Sequence, residues 1–595
     1  MDLIEGMKGW KRTHDCGSLR KEHEGMEVVL MGWVERRRDL GKLIFVDLRD
    51  REGITQVVFD PTVSEDAHKK AHGLRDEWVI AIKGKVALRL KGQENPNLPT
   101  GQIEVKAEQL RILNSSDIPP FQIHGKIDAS ETLRLRYRYL ELRRRQVFEK
   151  IRMRHRIALT VRNFLSGKGF IEVETPFLTK STPEGARDYL VPSRVSKGKF
   201  YALPQSPQLF KQLLMIGGCD RYFQIVRCFR DEDLRADRQP EFTQIDMEMS
   251  FVEESDIMEV VEEMIHHLFK EVLDIDISIP FPRMSYIDAM ERFGTDKPDT
   301  RFGMEIKDIS SIFKESEFRI FKNTIDSDGR IKAIKVKDGG NRFSRKDIEV
   351  LESVVKGEGA KGLFWIKIQE DRWSSPITRY INEREKEELG KEMDLHLGDL
   401  ILIVADKKEV SEAALGNLRL KVAEKMELLN KNRFSFLWIT HFPLFQYNVE
   451  EKRIESMHHP FTSPKDEDLH LLDKDPLKVG AKAYDLVLNG HEIGGGSIRI
   501  HRMDLQQKIF RILGIDPSEA ELKFGFFLEA LRYGAPPHGG IALGFDRLVT
   551  IITGADSIRE VIPFPKTQTA TCPVTGAPTE IDDAQLHDLH IQIIK

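Results

Sequence analysis

The densest group of charged side chains lies at residues 229–246, where charges of both signs stand between two apolar flanks. The flanks predict two buried strands, which would hold Arg230, Glu232 and Asp246 on a rigid sheet beside a charged turn. A fixed arginine can bind phosphate through its planar fork, and neighbouring carboxylates can bind an amine or a metal ion. Taken alone, such a segment is more often a salt-bridged hairpin that binds no ligand. The rest of the sequence therefore has to decide between a binding site and a structural hairpin.

Two further segments supply these surroundings. Residues 168–176 predict a helix end that runs into a strand stopped by Pro176, and residues 539–552 predict a glycine-rich strand that enters an apolar helix with Arg547 at the joint. Each pattern is weak alone, because it occurs in many unrelated folds. In this order and with these spacings, the three segments resemble motifs 1, 2 and 3 of the class II aminoacyl-tRNA synthetases.

Three shorter segments narrow the resemblance to one family. Residues 183–188 read Pro-Glu-Gly-Ala-Arg-Asp, residues 205–212 read Gln-Ser-Pro-Gln-Leu-Phe-Lys-Gln, and residues 494–499 read Gly-Gly-Gly-Ser-Ile-Arg. All three resemble the bacterial aspartyl-tRNA synthetases, and the similarity runs through nearly the whole chain. It implies an enzyme that activates L-aspartate with ATP to aspartyl-adenylate, releases pyrophosphate, and transfers aspartate to the 3′ end of tRNA(Asp).

The resemblance implies that charge neutralisation drives this chemistry without a covalent enzyme nucleophile. A carboxylate attacks the α-phosphorus of ATP, and a ribose hydroxyl of the tRNA then attacks the mixed anhydride, so positioned arginines and Mg²⁺ suffice. The predicted catalytic residues are Arg230, which would bind the α-phosphate and the substrate carboxylate, and Arg547, which would hold the γ-phosphate. Asp485 and Glu492 would hold Mg²⁺. The positions that match the family's ATP contacts are Arg230, Asp231, Glu232, Gln239, Glu492, Gly544, Phe545, Asp546 and Arg547.

A carboxylate side chain on the amino acid requires cations in its pocket, and the resemblance places Lys211 and Arg499 there. Asparagine would leave both cations poorly compensated, so such a pocket can discriminate strongly against asparagine. Asp246 would bind the substrate ammonium group, and Glu184 lies in a segment that resembles a closing lid. The residues that match the aspartate site are Glu184, Ser206, Gln208, Lys211, Arg230, Asp246, His458 and Arg499.

Several folded elements must position these residues. Between about residues 26 and 113, short alternating segments broken by turns predict a small antiparallel barrel of the oligonucleotide/oligosaccharide-binding (OB) type. In the resembled family this barrel binds the anticodon of the tRNA, and such barrels stack bases on aromatic side chains. The positions that match the anticodon contacts are Arg38, Phe45, Gln56 and Glu104.

The chain as a whole is predicted to be a multidomain α+β protein, with an antiparallel-sheet catalytic domain of the class II type that is interrupted by an inserted α+β domain. An insertion between motifs 2 and 3 resembles that of the bacterial aspartyl enzymes. The predicted boundaries are 1–117 for the barrel, 118–142 for a hinge, 143–297 and 431–566 for the two catalytic parts, 298–430 for the insertion and 567–595 for a C-terminal extension.

The bulk composition limits the class of protein. The 595 residues carry a net charge of −5, but basic clusters such as residues 36–38 and 143–145 supply local positive charge for a nucleic acid. The four cysteines lack paired spacing, which favours reduced thiols, and no apolar run approaches the roughly 20 residues of a membrane span. A cytoplasmic location without a membrane partner is expected, and the resemblance adds a homodimer joined around motif 1.

Several alternatives stay open. An asparaginyl-tRNA synthetase is disfavoured by Lys211, Arg499 and the insertion, and an ammonia-dependent asparagine synthetase on the same catalytic fold needs no anticodon barrel. A non-catalytic RNA-binding relative would not keep every catalytic position filled. Charging of tRNA(Asn) as well as tRNA(Asp) is also open. Leu40 matches the strict form of the family, since relaxed members tend to carry histidine there, so charging of tRNA(Asp) alone is expected.

Overall fold

The computed structural model describes residues 4–182, 186–232, 238–370 and 372–594. The chain divides into two compact units, of which one comprises Met1–Arg152 with Arg559–Thr579 and the other comprises Met153–Ile558 with Glu580–Lys595. Within the described ranges, no helix is long and apolar enough to span a lipid bilayer.

The N-terminal barrel is confirmed. Its elements are β1 (Glu27–Leu40), β2 (Leu43–Arg49), β3 (Ile54–Phe59), α1 (Glu65–Ala71), β4 (Val79–Leu88) and β5 (Ile103–Asn114). The strands close in the order β1-β2-β3-β5-β4. Every second residue points inward, so Val28, Leu30 and Val34 of β1 are fully buried while the residues between them reach the surface.

A charged segment follows the barrel and contains the short helices α2 (Glu131–Arg136) and α3 (Arg138–Glu141), before the long helix α4 (Arg145–Gly167) begins. A buried polar network lies in this segment, where Glu141 accepts hydrogen bonds from Arg134 at 2.6 Å and Arg138 at 2.5 Å. The apolar face of α4 repeats every four residues, at Ile157, Val161 and Leu165.

The first catalytic part carries motifs 1 and 2. Its elements are β6 (Ile171–Glu172), β7 (Leu190–Pro192), β8 (Phe200–Ala202), α5 (Gln208–Ile216), β9 (Arg221–Phe229), β10 (Glu241–Ser250), α6 (Glu254–Leu273), β11 (Arg283–Ser285) and α7 (Tyr286–Phe293). β9 and β10 are the two strands that were predicted on either side of the charged turn. They pair antiparallel, with Glu241 opposite Phe229 at one end of the ladder and Met249 opposite Arg221 at the other.

The segment that interrupts the catalytic pattern has a sheet of its own. Its elements are β12 (Lys307–Asp308), α8 (Arg319–Asp326), β13 (Arg330–Val336), α9 (Arg345–Gly357), β14 (Phe364–Ile368), β15 (Trp373–Ser374), α10 (Glu383–Met393), β16 (Leu400–Asp406) and α11 (Lys408–Lys425). The strand order is β12-β13-β16-β14-β15. Two separate apolar clusters pack against this sheet, so all seven residues of the central β16 are buried.

The second catalytic part completes the large sheet. Its elements are β17 (Phe436–Thr440), β18 (Phe445–Asn448), β19 (Arg453–Ser456), β20 (Ala483–Leu488), β21 (His491–Ile498), α12 (Met503–Ile512), α13 (Pro517–Leu531), β22 (His538–Gly544), α14 (Phe545–Thr553) and α15 (Asp583–Asp588). Eight strands pair in the order β11-β17-β20-β21-β22-β10-β9-β6, and the ladders are antiparallel except at the two ends. This sheet brings motif 2 and motif 3 side by side.

Candidate functional site

A cavity of about 440 Å³ lies over the large sheet, within the range that is usual for small-molecule sites. The structure brings together most of the side chains that the sequence predicted for aspartate, ATP and metal binding. Asp231 and Phe545 do not line the cavity, and Glu184 lies outside the described residues. The predicted residues that do line it are Ser206, Gln208, Lys211, Arg230, Glu232, Gln239, Asp246, His458, Asp485, Glu492, Arg499, Gly544, Asp546 and Arg547.

The alternation of β10 places its acidic residues on one face of the sheet. Asp246 and Glu248 are two residues apart and both are fully buried. Gly540 lies opposite Glu248 on β22, and a Cβ atom added there would fall 2.0 Å from Glu248 Oε2. The glycine on the neighbouring strand therefore makes room for a buried carboxylate.

Lys211 projects from α5 into the cavity and binds both carboxylates. Its Nζ lies 2.9 Å from Asp246 Oδ2 and 3.3 Å from Glu248 Oε2, and its side chain is 1% exposed. Burial raises the pKa of Asp246 to about 6, although the Lys211 ammonium acts in the opposite direction. The other oxygen, Asp246 Oδ1, is buried without a hydrogen-bond partner in the described part of the chain, so it can accept a hydrogen bond from a cationic ligand group.

Arg499 forms the second half of this network. Its Nε and one terminal nitrogen donate to the two oxygens of Glu248 at 2.9 and 3.2 Å, and its other terminal nitrogen donates to Ser497 Oγ at 2.7 Å. Burial alone would raise the pKa of Glu248, but Arg499 and Lys211 together hold it below its ordinary value. Glu248 therefore joins the two cations.

Two neighbouring histidines take different charge states. Burial, reinforced by Arg499, holds the pKa of His459 well below its ordinary value, so its neutral Nε2 accepts a hydrogen bond from Arg499 at 2.6 Å. Burial also acts against the charge of His458, but the Asp485 carboxylate, 3.3 Å from His458 Nε2, outweighs it and raises the pKa. His458 is thus the histidine that can carry a proton at the cavity wall.

Asp485 and Glu492 form an acidic pair on β20 and β21. A Cβ atom added to Gly495 would lie 2.7 Å from Asp485 Oδ1 and 3.8 Å from Glu492 Oε1, so both carboxylates surround the same glycine. Burial, and then repulsion from Asp485, raise the pKa of Glu492. A bound cation would relieve this repulsion. The described residues contain no cluster of three or more potential metal ligands. Water or phosphate oxygens would therefore occupy most of the coordination positions of such an ion.

The two arginines predicted as catalytic stand on motif 2 and motif 3. Arg230 follows β9 directly, and its guanidinium lies 5.0 Å from the ring centroid of Phe242 on β10. Arg230 Nε is buried without a hydrogen-bond partner among the described residues. Arg547 lies in the first turn of α14 and donates a hydrogen bond to the backbone carbonyl of Glu492 at 2.5 Å. Both guanidinium groups line the cavity.

Four predicted positions have other contacts. Asp231 donates its backbone N–H to Arg187 at 3.0 Å, away from the cavity lining, and Glu232 forms an ion pair with Arg238. Phe545 is buried beneath the guanidinium of Arg154. The carboxylate of Asp546 accepts hydrogen bonds from Arg154 on one oxygen and from the backbone N–H of Thr243 on the other, so both oxygens are held by the protein.

The predicted anticodon residues form one polar cluster on the barrel. Arg38 donates to Asp47 at 2.7 Å, and Gln56 donates to Glu104 at 3.1 Å. Phe45 is the cross-strand partner of Arg38 and is half-buried, so part of its ring faces solvent. Asp47 also belongs to this cluster, although it was not among the predicted anticodon residues. Burial raises the pKa of its carboxyl group. Its place in the cluster follows from strand alternation, because it lies two residues after Phe45.

Sequence reasoning also missed His459, which lines the cavity, and Glu248, which lies behind its lining and binds Lys211 and Arg499. Glu248 could have been found from the alternation that already placed Asp246 on the inner face of β10. His459 adjoins the predicted His458, but the sequence contains no signal for its contact with Arg499, which is 40 residues away.

Comparison with known proteins gives consistent matches. A profile described as tRNA synthetases class II (D, K and N) matches residues 130–568, and one described as OB-fold nucleic acid binding domain matches residues 28–113. The chain is 56% identical to an aspartate–tRNA(Asp/Asn) ligase of Caldanaerobacter subterraneus subsp. tengcongensis, covering 99% of each chain. It is 53% identical to an aspartate–tRNA ligase of Macrococcus caseolyticus, covering 98% of each.

A solved structure shares the fold. The asparaginyl-tRNA synthetase from Pyrococcus horikoshii, complexed with asparaginyl-adenylate, matches with a TM-score of 0.58 and 21% identity over 94% of this chain and 98% of that one. Among eight curated relatives that are 53–56% identical, seven are named aspartate–tRNA(Asp/Asn) ligase.

Proposed function

The chain belongs to the class II tRNA synthetases (D, K and N) and is an aspartate–tRNA ligase, and we propose that its 440 Å³ cavity joins L-aspartate to AMP. The observation that carries this proposal is the buried network in which Glu248 links Lys211 and Arg499. With Glu248 ionised, and with Asp246 compensated by the ammonium group of the substrate, these three side chains carry a net charge of +1. The aspartate side chain would neutralise it, whereas asparagine would leave it uncompensated.

The remaining groups suit the rest of the substrate. Asp246, with its free Oδ1, binds the ammonium group of aspartate, and Gln208 and Ser206 orient it. Arg230 binds the α-carboxylate and the α-phosphate, while His458 donates a hydrogen bond near the substrate. Glu184 is assigned to the same site by resemblance alone. These roles place the reacting carboxylate and the α-phosphate beside one guanidinium group.

In the first step, a carboxylate oxygen of aspartate forms a bond to the α-phosphorus of ATP, and the bond from that phosphorus to the bridging oxygen breaks to release pyrophosphate. Arg230 and Arg547 neutralise charge on the phosphoryl oxygens, which lowers the barrier electrostatically. Glu232 and Gln239 contact ATP, as do the backbone atoms of residues 544–546. In the second step, a hydroxyl of the tRNA 3′-terminal ribose attacks the acyl carbon, and AMP leaves.

Asp485 and Glu492 fit a magnesium ion, because the buried Asp485 and the half-buried Glu492 both lie beside Gly495, and burial and then repulsion from Asp485 raise the pKa of Glu492. Bound there, Mg²⁺ would supply positive charge to the phosphates of ATP. Arg547 is held beside this pair by its hydrogen bond to the Glu492 carbonyl.

We propose further that the polar cluster of the barrel, with Arg38, Phe45, Gln56 and Glu104, binds the anticodon. The half-buried Phe45 offers an aromatic surface for stacking, and the neighbouring polar groups can read base edges. The names of seven relatives favour charging of both tRNA(Asp) and tRNA(Asn). The opposite expectation from Leu40 stays a prediction, and it rests on one exposed side chain.

Charging of purified tRNA species with labelled aspartate tests both points. We expect the wild-type protein to charge tRNA(Asp) and tRNA(Asn), and Phe45→Ala to lower both activities about tenfold or more, because stacking on one base is worth about 1–3 kcal/mol. Pyrophosphate exchange should be unchanged in Phe45→Ala. Val63→Ala, at an exposed apolar position of the barrel region, is the control. Charging of tRNA(Asp) alone would contradict dual specificity, and normal charging by Phe45→Ala would contradict the anticodon surface.

We also propose a homodimer in which a second copy covers the edge of the large sheet at β6. The edge is apolar and exposed, with Ile171 at 56% and Leu178 at 54%, and the nearby β7 exposes Leu190 at 58%. Light scattering should give twice the chain mass of 68.6 kDa, and Ile171→Lys should shift the population towards monomer. A wild-type mass of one chain at micromolar concentration would contradict the proposal.

A further inference from the structure

Both oxygens of the Asp546 carboxylate accept hydrogen bonds from the protein, in the residue next to Arg547. Asp546 is 2% exposed. Its Oδ1 accepts a hydrogen bond from the Arg154 guanidinium, and its Oδ2 accepts one from the backbone N–H of Thr243 at 2.7 Å. Arg154 donates a further hydrogen bond to Thr243 Oγ1 at 3.1 Å. Helix α4, strand β10 and helix α14 therefore meet at one buried ion pair.

The geometry of this contact requires an arginine. The guanidinium of Arg154 lies 4.6 Å from the ring centroid of Phe545, and its separate nitrogens reach Asp546 and Thr243 at the same time. A lysine ammonium is a single point of charge and lacks the planar fork that stacks on a ring while it donates in two directions. Arg154 is also well shielded, because its side chain is 16% exposed.

Both ATP-binding arginines of the proposed function are adjacent to this contact. Arg547 is the next residue after Asp546. On the other side, Thr243 follows Phe242, whose ring supports the guanidinium of Arg230 at 5.0 Å. By contrast, the hydrogen bonds of Lys211 and Arg499 involve none of these residues. Arg154 is thus coupled mainly to the nucleotide side of the cavity, and it reaches the amino acid side only through Arg230, which is proposed to bind the α-carboxylate as well.

We propose that Arg154 is a positioning residue for ATP, which sets the relative placement of Arg230 and Arg547 through Thr243 and Asp546. The inference rests on the proposed roles of those two arginines. A misplacement of about 1 Å in a group that orients the reactants can cost on the order of 10²-fold in rate, so loss of this contact is expected to affect ATP use strongly.

The test is ATP–pyrophosphate exchange by Arg154→Lys, with KM measured separately for ATP and for aspartate. We expect KM for ATP to rise about tenfold or more and kcat to fall, while KM for aspartate rises much less, because aspartate shares only Arg230 with ATP and keeps its contacts with Lys211, Arg499 and Asp246. Thr243→Val removes only the Oγ1 acceptor and should give a smaller change in the same direction. Arg156→Lys is the matched control on the same helix, because the exposed Arg156 donates to the backbone carbonyl of Glu271 at 3.3 Å and should behave like wild type.

Each result decides the proposal. An unchanged KM for ATP in Arg154→Lys, or an equal rise in both KM values, would overturn it, as would a lower melting temperature with wild-type kinetics. If Arg154→Lys does not fold, Thr243→Val decides by the same comparison of KM values. Failure of the proposed function looks different, because the wild-type protein itself would then lack aspartate-dependent exchange.

Discussion

Arg499→Leu is expected to abolish aspartate-dependent ATP–pyrophosphate exchange. Arg499 is 2% exposed and forms two hydrogen bonds to Glu248, so leucine both removes a cation from the aspartate pocket and leaves a buried carboxylate with Lys211 alone. Loss of one partner of a buried, hydrogen-bonded charge pair costs about 2–5 kcal/mol of binding free energy, so losing the contact of Arg499 with the aspartate side chain corresponds to roughly 30- to 5,000-fold in kcat/KM for aspartate.

A matched variant separates this effect from general damage to the fold. Arg502→Leu removes an arginine three residues away that is 57% exposed and binds Asp504, and it should retain exchange. Arg499→Lys keeps the charge and should recover part of the activity if Arg499→Leu proves unstable in a melting experiment. Near-normal exchange by a folded Arg499→Leu protein would remove Arg499 from the aspartate pocket.

Arg547→Ala is expected to lose adenylate formation, with kcat/KM for ATP lower by on the order of 10²–10³-fold, because one preorganised charge donor at the phosphates is removed. Arg547 lines the cavity and its hydrogen bond to the Glu492 carbonyl fixes its direction, so alanine deletes a positioned group. The effect is expected at every aspartate concentration, because the amino acid pocket is intact.

Single-turnover formation of aspartyl-adenylate at low ATP measures this change directly. Arg532→Ala, at an exposed arginine that follows α13, serves as the control and should match the wild-type rate. Retained turnover by Arg547→Ala at low ATP would contradict the phosphate role, whatever its melting temperature.

Much of the fold was predictable because local patterns agree with the tertiary structure. Alternation predicted the strands of the barrel, and the apolar flanks of the charged turn predicted β9 and β10. The residue types of Lys211, Arg499 and Asp246 pointed to the aspartate pocket only through the family resemblance, since lone charges more often lie on a solvated face.

Contacts between residues far apart in the chain could not be predicted from the sequence. Glu248 joins Arg499 across 251 positions, and Arg154 joins Asp546 across 392. Neither pair has a local spacing that marks it, because the partners meet only when strands and helices pack. Packing likewise brings the Asp546 carboxylate to Arg154 and Thr243, a contact that the prediction for Asp546, which concerned its backbone beside ATP, did not include.

The most direct test of the central claim, that buried cations recognise the carboxylate side chain of aspartate, is ATP–pyrophosphate exchange by the wild-type protein with aspartate and asparagine in parallel. We expect kcat/KM for aspartate to exceed that for asparagine by about 10⁴-fold, because the amide leaves buried charge uncompensated. Comparable exchange with the two amino acids would contradict the claim.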